Sequence, residues 1–260
     1  MIPLIHGIVD SVFDPRSIEG LITWWDAAYA GNTIDGSGTP SFSEIVDRSP
    51  TGNDLTMATK TLQPIVITED GVQWWTTNGS TQHMAAAIPT FLSSVTEYTI
   101  FWMFENTTTM NLVMDFSNPV NSDEWMSFGA RADASSVGYT SLCFNIRSID
   151  AGKYNWLYAD DDGRNTKYVA ALKNDGSSST PRINGVEKDV LVNSGLGSND
   201  GLMPSDVSVA YTKLYLARQH FQYTSYYRTT RCGEVIVYDR ALSDAECEKV
   251  EAYLSSKNSI

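Results

Sequence analysis

The chain has 260 residues, of which 42% are hydrophobic, 19% charged and 11% aromatic. A chain of this length buries about three quarters of its unfolded surface, so it needs neither disulfides nor a metal in order to fold. The net charge of −13, from 31 acidic and 18 basic residues, argues against the clustered Lys and Arg on which phosphate binding depends, and we expect no nucleic-acid partner. We interpret the negative charge as a source of solubility, and the alternative interpretation is calcium binding.

The three cysteines and the N-terminal residues bear on where the protein folds. Cys143, Cys232 and Cys247 cannot all pair with one another, and no Cys or His spacing indicates zinc. We expect them to be reduced and buried, which fits assembly in a cytoplasm. The opening MIPLIHGIVDSVFDP has no basic region and only a broken apolar run, so it does not match a secretion signal. No stretch reaches the ~20 apolar residues that span a bilayer, and we expect no membrane partner.

Along the chain, short strand-like runs alternate with turn signals. Residues 1–16 show no strong hydrophobic periodicity and end in a turn signal. We therefore predict an N-terminal arm that could attach the domain to a partner. Residues 17–260 then form a single domain, because turn signals recur roughly every 8–14 residues and no βαβ pattern is present. The segments that predict strands and their connecting turns are 20–27, 41–57, 64–75, 78–86, 97–106, 111–117, 124–131, 141–147, 154–172, 182–190, 213–219 and 232–239.

Three dipeptides predict tight hairpin turns. Asp70-Gly71, Asp162-Gly163 and Asn184-Gly185 each stand between two strand-like runs. Two-residue hairpin loops need left-handed backbone conformations, which Gly adopts freely and which Asn and Asp tolerate. We therefore predict that each pair joins two neighbouring antiparallel strands.

The last part of the sequence predicts the one helix. Ser243 and Glu246 have the spacing of a capping box, in which each residue satisfies a free backbone N–H at the helix start. Cys247, Val250 and Leu254 follow at helical spacing and predict an apolar stripe. Because a helix of about a dozen residues is marginal in water, we predict that it docks on the β-structure and covers an open sheet edge or end. The predicted fold is an all-β, two-sheet antiparallel β-sandwich of the jelly-roll type with one short C-terminal helix.

Four segments resemble a known family, in the order in which that family has them. FDPRSIEGLITWWDAAYAGNTI (13–34) is similar to its GLxxWxDA opening, VDRSPTGNDLTMAT (46–59) to a DxSGNGNDLT turn, WTTNGSTQHM (75–84) to an FDGSNDYL segment, and GEVIVYDRALSDAECEKVEAYLSSK (233–257) to its closing strand and helix. The family is the concanavalin A-like lectin/glucanase, or laminin-G-like, jelly rolls. Such domains recur in bacteriophage virion proteins and in secreted bacterial proteins.

The third segment departs from the family pattern. Asn78-Gly79 stands for the usual Asp-Gly, and Gln82-His83 stands for Asp-Tyr. In some relatives acidic loop residues hold calcium, so these changes put a calcium site at that turn in doubt. The resemblance implies a domain used for binding or display and does not by itself imply an enzyme.

Residues suited to catalysis are not evident. Glucanases of this fold place carboxylates at alternate positions of one strand so that they share a groove, and the sequence has no such array. Only three histidines are present, His6, His83 and His220, and no GxSxG nucleophile motif occurs. We therefore expect no catalytic residues and no enzymatic activity, with a polysaccharide hydrolase or lyase as the least favoured alternative.

Aromatic pairs and one acidic run are the candidate binding residues. Trp156 and Tyr158 fall on one face of their predicted strand, as do Tyr223 and Tyr227 if that segment is extended. Exposed rings of this kind stack on sugars or fill protein interfaces, whereas packing in the core is the alternative. Asp160, Asp161 and Asp162 could bind Ca²⁺ at a loop tip, and the alternative is a hairpin turn with solvated charges. No other cofactor is indicated.

The leading functional hypothesis is a non-enzymatic bacteriophage structural protein, a capsid decoration, head-fibre or tail-associated protein with a lectin-like surface. Its location would be the virion, assembled in the host cytoplasm, and its partners would be other virion proteins and glycans. A homo-oligomer is expected because virion decorations are often symmetric. The alternative is a carbohydrate-binding module of a bacterial surface or secreted protein.

Overall fold

The computed structural model describes residues 13–34, 40–78, 80–87, 95–105, 110–117, 125–132, 140–148, 153–159, 167–192, 213–216, 231–258 and 260. In several strands it describes the backbone alone. No helix in these ranges combines the length and the apolar character that crossing a membrane requires.

Most of the described chain is β-strand, as its aromatic and β-branched residues predict. In chain order the strands are β1 (Leu21–Ile34), β2 (Pro40–Asp47), β3 (Leu55–Thr56), β4 (Ile65–Glu69), β5 (Val72–Thr76), β6 (Met84–Ala87), β7 (Tyr98–Glu105), β8 (Met110–Ser117), β9 (Trp125–Ala132), β10 (Thr140–Ser148), β11 (Lys153–Ala159), β12 (Lys167–Asn174), β13 (Ser179–Ile183), β14 (Val186–Glu187), β15 (Val190–Val192), β16 (Lys213–Leu216) and β17 (Arg231–Tyr238). The described helices are two short 3-10 helices, Pro15–Ser17 and Lys60–Leu62, and the α-helix α1 (Asp244–Asn258).

Two of the predicted hairpin turns are confirmed. Asp70 and Gly71, with φ of 53° and 81°, join β4 to β5, which pair in antiparallel register. Asn184 and Gly185, with φ of 48° and 80°, join β13 to β14 in the same way. The left-handed backbone at both central positions is the reason these dipeptides mark the turns.

The described strand pairings are all antiparallel. The β4–β5 hairpin pairs with β2 and β17, and the other strands run in two series. The first series is β2–β1–β17–β7–β12–β13–β14. The second series is β3–β6–β16–β8–β9–β10–β11–β15. The pairing of β2 with β3 joins the two series. The prediction of a mostly β, antiparallel protein with one short C-terminal helix is confirmed.

One hydrophobic cluster, here the shared core, takes side chains from both series. Trp102 of β7 and Phe128 of β9 meet edge to face, with ring centroids 5.9 Å apart. Phe116 of β8 meets Phe128 in the same manner. Val235 of β17 and Met126 of β9 belong to the same cluster. The two series therefore depend on each other for the burial of their apolar faces.

The two adjacent tryptophans of β1 lie in different clusters, as strand alternation predicts. Trp25 belongs to the shared core, whereas Trp24 belongs to a second cluster, here the outer cluster, which includes residues of α1. Each side chain is only 2% exposed. The outer face of the first series is therefore apolar as well, and it requires a cover.

Helix α1 provides that cover. Its capping box is formed as predicted, because Ser243 N donates to Glu246 Oε2 at 2.9 Å and Glu246 N donates to Ser243 Oγ at 3.3 Å. The predicted stripe of Cys247, Val250 and Leu254 is fully buried in the outer cluster, together with residues of β1, β7, β12 and β17. The helix thus covers a sheet face, and the expectation that it would cover a sheet edge or end is wrong.

The buried face of α1 is not purely apolar. Glu251 lies on it and accepts from Arg182 Nε at 2.8 Å and from Arg182 Nη2 at 3.0 Å. Both side chains are buried, so the two charges satisfy each other in a bidentate pair. This pair joins the helix to β13.

The predicted hairpin around Asp162-Gly163 is wrong. Strand β11 pairs with β10 and β15, whereas β12 pairs with β7 and β13. The flanking strands therefore belong to different series, and residues 160–166 between them lie outside the described residues. Strand β12 is buried on both faces, from Tyr168 to Leu172, and such a strand fits the centre of the first series, between the shared core and α1.

Candidate functional site

The structure describes little of the binding residues that the sequence predicts. Trp156 and Tyr158 belong to β11, next to β10, but their side chains lie outside the description. Tyr223, Tyr227 and the acidic run 160–162 lie outside the described residues altogether. These candidates stay predictions.

The side chains of two of the three cysteines, Cys232 and Cys247, are described, and both are free and buried. Burial raises the pKa of the Cys247 thiol to about 11 and raises the pKa of Cys232 well above its usual value. Both thiols are therefore protonated at neutral pH and poor nucleophiles. For this pair the prediction of reduced, buried cysteines is confirmed; the side chain of Cys143 is outside the description.

The acidic turn after β2 is organised by Asp47. Its Oδ1 accepts from the backbone N–H groups of Trp24 and Ser49, and its Oδ2 accepts from the N–H of Asn53 and the hydroxyl of Ser49. These neutral donors occupy the carboxylate, which makes Asp47 a turn-stabilising residue. In the part of the chain that is described, no group of three or more His, Cys, Asp and Glu side chains is placed to hold a metal ion.

A pair of carboxylates that the sequence analysis missed lies on the outer face of the first series. Asp26 of β1 stands directly opposite Glu234 of β17 in the antiparallel register. Alternation places Asp26 on the same face as Trp24 and therefore beneath α1. The two carboxylate side chains are 3% and 1% exposed. Buried carboxylates of this kind must be paired with cations or donors.

Lys257, in the last turn of α1, bridges the two carboxylates. Its Nζ lies 2.5 Å from Asp26 Oδ2 and 2.8 Å from Glu234 Oε2. Arg48 Nη1 donates to the same Asp26 oxygen at 2.9 Å. We call Asp26, Arg48, Glu234, Lys257 and the hydroxyl of Tyr253 the ionic cluster. It fastens the end of α1 to β1 and β17.

The remaining oxygens of the two carboxylates are also occupied. Asp26 Oδ1 accepts from the backbone N–H of Ala28 at 2.9 Å. Glu234 Oε1 accepts from Trp24 Nε1 at 2.5 Å and from the Tyr253 hydroxyl at 3.1 Å. Burial, and after it the charge of Asp26, raise the pKa of Glu234, while Lys257 opposes the shift. Glu234 therefore holds a proton more readily than an exposed glutamate does.

Above the ionic cluster, three side chains form a stack that reaches the surface. The guanidinium carbon of Arg48 lies 3.7 Å from the centroid of the Trp24 ring and 3.8 Å from that of Tyr29. Tyr29 is 55% exposed. We call this arrangement the Tyr29–Arg48–Trp24 stack. Trp24 and Tyr29 belong to β1, which continues to Ile34, beyond the predicted segment 20–27, and which is irregular opposite β2.

Neither arrangement could be read from local sequence patterns. Asp26 and Lys257 are 231 positions apart, and the partner of each strand is known only from the fold. The one local signal was the run Trp24-Trp25-Asp26, which places an acidic residue on the same face as a large ring in an otherwise apolar strand. That pattern indicates a buried carboxylate that needs a partner.

Known proteins are similar to this chain in structure rather than in sequence. No protein-family model matches the sequence, and no curated protein matches it. The botulinum neurotoxin type G receptor binding domain matches with a TM-score of 0.56 and 14% identity, over 90% of this chain and 51% of that one. The binding domain of botulinum neurotoxin serotype D matches with a TM-score of 0.56 and 10% identity, over 89% of this chain and 51% of that one.

A weaker likeness, with a TM-score of 0.49 and 18% identity over 61% of this chain and 84% of the other, is to the CBM40 of a Ruminococcus gnavus IT-sialidase. At such identities the similarity to the toxin domains shows a shared fold alone. This chain spans about half the length of each toxin domain.

Proposed function

We propose that this chain is a binding domain that recognises carbohydrate. The observation that carries the proposal is the exposed ring of Tyr29, which lies 3.8 Å from the Arg48 guanidinium carbon on one side. A ring fixed in this way has little side-chain entropy to lose on binding. Its exposed area is suited to stacking on the apolar face of a sugar.

The fold supports a recognition role. The two toxin domains named above are described as receptor-binding and binding domains, and they share this architecture. We propose that the two strand series form the two layers of a lectin-like sandwich of the concanavalin A type, since both series contribute to the shared core. Of the two hypotheses drawn from the sequence, this support favours the carbohydrate-binding module.

We also propose that the domain is not an enzyme. Within the described ranges, the facing carboxylates Asp26 and Glu234 lie beneath α1 and are bound by Lys257. A glycosidase needs its acid and base on either side of a sugar in an open groove. The burial of this pair supports binding rather than hydrolysis.

A glycan array probed with the full chain tests the proposal, and titration of the best ligand quantifies it. We expect Tyr29→Ala to weaken binding roughly tenfold, the equivalent of about 1.4 kcal/mol. Val186→Ala is the matched control, because Val186 is a comparably exposed apolar residue, 57% exposed, on β14. Trp156→Ala and Tyr158→Ala test the candidates from the sequence in the same titration. A folded chain that binds no glycan contradicts the proposal.

The virion role stays a prediction. None of the solved structures named above is a bacteriophage protein by its name. Mass spectrometry of purified virions tests the role directly, together with the location and the virion partners that it implies. Absence of the chain from virions would leave the carbohydrate-binding proposal intact, because that proposal depends on the exposed stack and on the fold.

A further inference from the structure

The ionic cluster brings two carboxyl groups into contact with one amine. Lys257 Nζ touches Asp26 Oδ2 at 2.5 Å and Glu234 Oε2 at 2.8 Å. We propose that Lys257 and Asp26 condense to an intramolecular isopeptide bond, with Glu234 as the catalytic proton carrier. The bond would join β1 to the last turn of α1. This inference is independent of carbohydrate binding.

The reaction balances from the groups as they stand. Nζ of the Lys257 ammonium loses a proton and attacks Cγ of Asp26, which forms the C–N bond of the amide. The Cγ–Oδ2 bond breaks, and Oδ2 leaves as water with the two protons that the nitrogen gives up. An ammonium and a carboxylate thus become a neutral amide and one water molecule. No oxidant, nucleotide or cofactor takes part.

Glu234 is placed to move the protons. Its Oε2 lies next to the attacking nitrogen, and that nitrogen also contacts the leaving oxygen. Glu234 therefore receives a proton from Nζ and returns one to Oδ2, as a general base and then a general acid. Burial raises the pKa of Glu234, which favours the protonated form that this second step needs.

Two fixed donors hold the Asp26 carboxylate in place. The Ala28 N–H donates to Oδ1, the oxygen that carries negative charge when Nζ has added to Cγ. A backbone donor aimed at such an oxygen stabilises the intermediate. Arg48 donates to Oδ2 and stabilises that oxygen as it departs. Glu234 supplies the proton that this leaving oxygen needs, because its Oε2 contacts the same nitrogen as Oδ2 does.

The burial of the cluster favours condensation over hydrolysis. In water an ion pair of this kind does not condense, because water competes and the two groups rarely meet. Groups held in contact react with effective concentrations of about 10⁵–10⁸ M. Asp26 and Glu234 are almost fully buried, which limits the access of bulk water to Cγ of Asp26 and slows the reverse reaction. Lys257 is 28% exposed, which leaves a path for the released water.

The bond is observable as a mass. We expect the full chain, purified folded and then denatured, to weigh less than its sequence by one water molecule. Trypsin cannot cleave after an acylated lysine, so the digest contains residues 17–48 joined to residues 250–260. Fragmentation of that peptide locates the bond between Asp26 and Lys257. A wild-type chain with the full sequence mass overturns the proposal.

Variants separate the three roles. Lys257→Arg keeps the positive charge but has no amine to acylate, so the full mass is expected. Asp26→Asn is expected to lose one ammonia in place of one water, since the same amide forms from the carboxamide. Glu234→Gln is expected to slow formation about 10²–10⁴-fold, the usual contribution of a general acid–base.

Lys249→Arg is the matched control, because Lys249 is an exposed lysine of the same helix, and its mass loss is expected to equal that of the wild type. Loss of water that persists in Lys257→Arg would place the dehydration elsewhere and would overturn the proposal. A peptide that joins 250–260 to 232–240 would make Glu234 the acyl donor, and the assignment to Asp26 would be wrong.

Discussion

Asp26 and Asp47 show how neighbouring residues of the same type acquire different chemistry. Asp47 accepts from backbone N–H groups and hydroxyls in its own turn and from the N–H of Trp24, so its charge is spread over neutral donors. Asp26 accepts from two cations that come from other parts of the chain, Arg48 and Lys257. The first arrangement stabilises a loop. The second leaves a carboxylate carbon beside an amine, which is the basis of a covalent reaction.

At the residue scale, Gly20 is a position that does not accept a side chain without strain. Its φ is +88°, and an added Cβ would lie 2.5 Å from Asp239 Oδ1. We expect Gly20→Ala to lower the free energy of unfolding by about 1–3 kcal/mol, because strained backbone and close contact add. Urea denaturation measures the loss.

Gly52→Ala is the control for that variant. Gly52 also has a left-handed backbone, φ +69°, but an added Cβ there has nothing within 4 Å. The free energy of unfolding lost in Gly52→Ala reports the backbone strain alone. We expect this loss to be smaller than that of Gly20→Ala. Equal losses in the two variants would show that the contact with Asp239 costs nothing.

At the scale of elements, local chemistry predicted most of what the structure shows. The Asp70-Gly71 and Asn184-Gly185 turns, the Ser243–Glu246 capping box and the strand positions follow from conformational preferences that act within a few residues. The hairpin at Asp162-Gly163 was predicted by the same rule and is wrong. A turn dipeptide indicates that the chain can reverse its direction there. It does not determine which strands pair, and β12, which is buried on both faces, pairs with β7 and β13 instead of β11.

The stability that helix α1 adds to the fold is expected to depend on pH through Glu246. The pKa of Glu246 is lowered from 4.5 to about 2, first by Arg240 and then by the backbone N–H of Ser243. Since the folded pKa lies below the unfolded one, the stabilisation is fully present above about pH 4.5 and is lost as the pH falls towards 2. We expect urea denaturation to show this loss in that window.

Glu246→Gln tests the assignment. It is expected to cost about 1 kcal/mol at neutral pH, in the range of a lost helix cap, and to remove its share of the acid-dependent loss. Glu248→Gln changes an exposed carboxylate of the same helix and serves as the control. If both variants keep the wild-type pH dependence, Glu246 is not its source.

At the scale of the whole molecule, the fold was more predictable than the site. Many separate local patterns indicate the strands and the terminal helix, so a wrong prediction for one segment does not change the predicted fold. The ionic cluster includes Asp26, Glu234 and Lys257, which meet only after β1 pairs with β17 and α1 docks. No spacing rule connects positions so far apart. Carboxylates at alternate positions of one strand form a pattern within a single segment, whereas Asp26 and Glu234 face each other across two strands.

The shared core predicts that the two strand series unfold together. Trp102 of the first series is fully buried, and its ring lies 5.9 Å from that of Phe128 in the second. Trp102→Ala is expected to cost about 3–5 kcal/mol, because it leaves a large cavity between the series. Neither series can bury its apolar face without the other, so far-ultraviolet circular dichroism and tryptophan fluorescence should move to lower urea concentration as one transition.

Val186→Ala is the control for this variant, since an exposed residue away from the core changes stability by less than about 0.5 kcal/mol. Separate transitions by the two probes, or a Trp102→Ala chain in which only one probe shifts, would mean that the series have independent cores. If both probes shift together in one transition, the outer face of the first series unfolds in the same cooperative unit as the shared core. The ionic cluster would then be lost only on global unfolding, which is the condition under which a buried amine and carboxylate stay in contact long enough to condense.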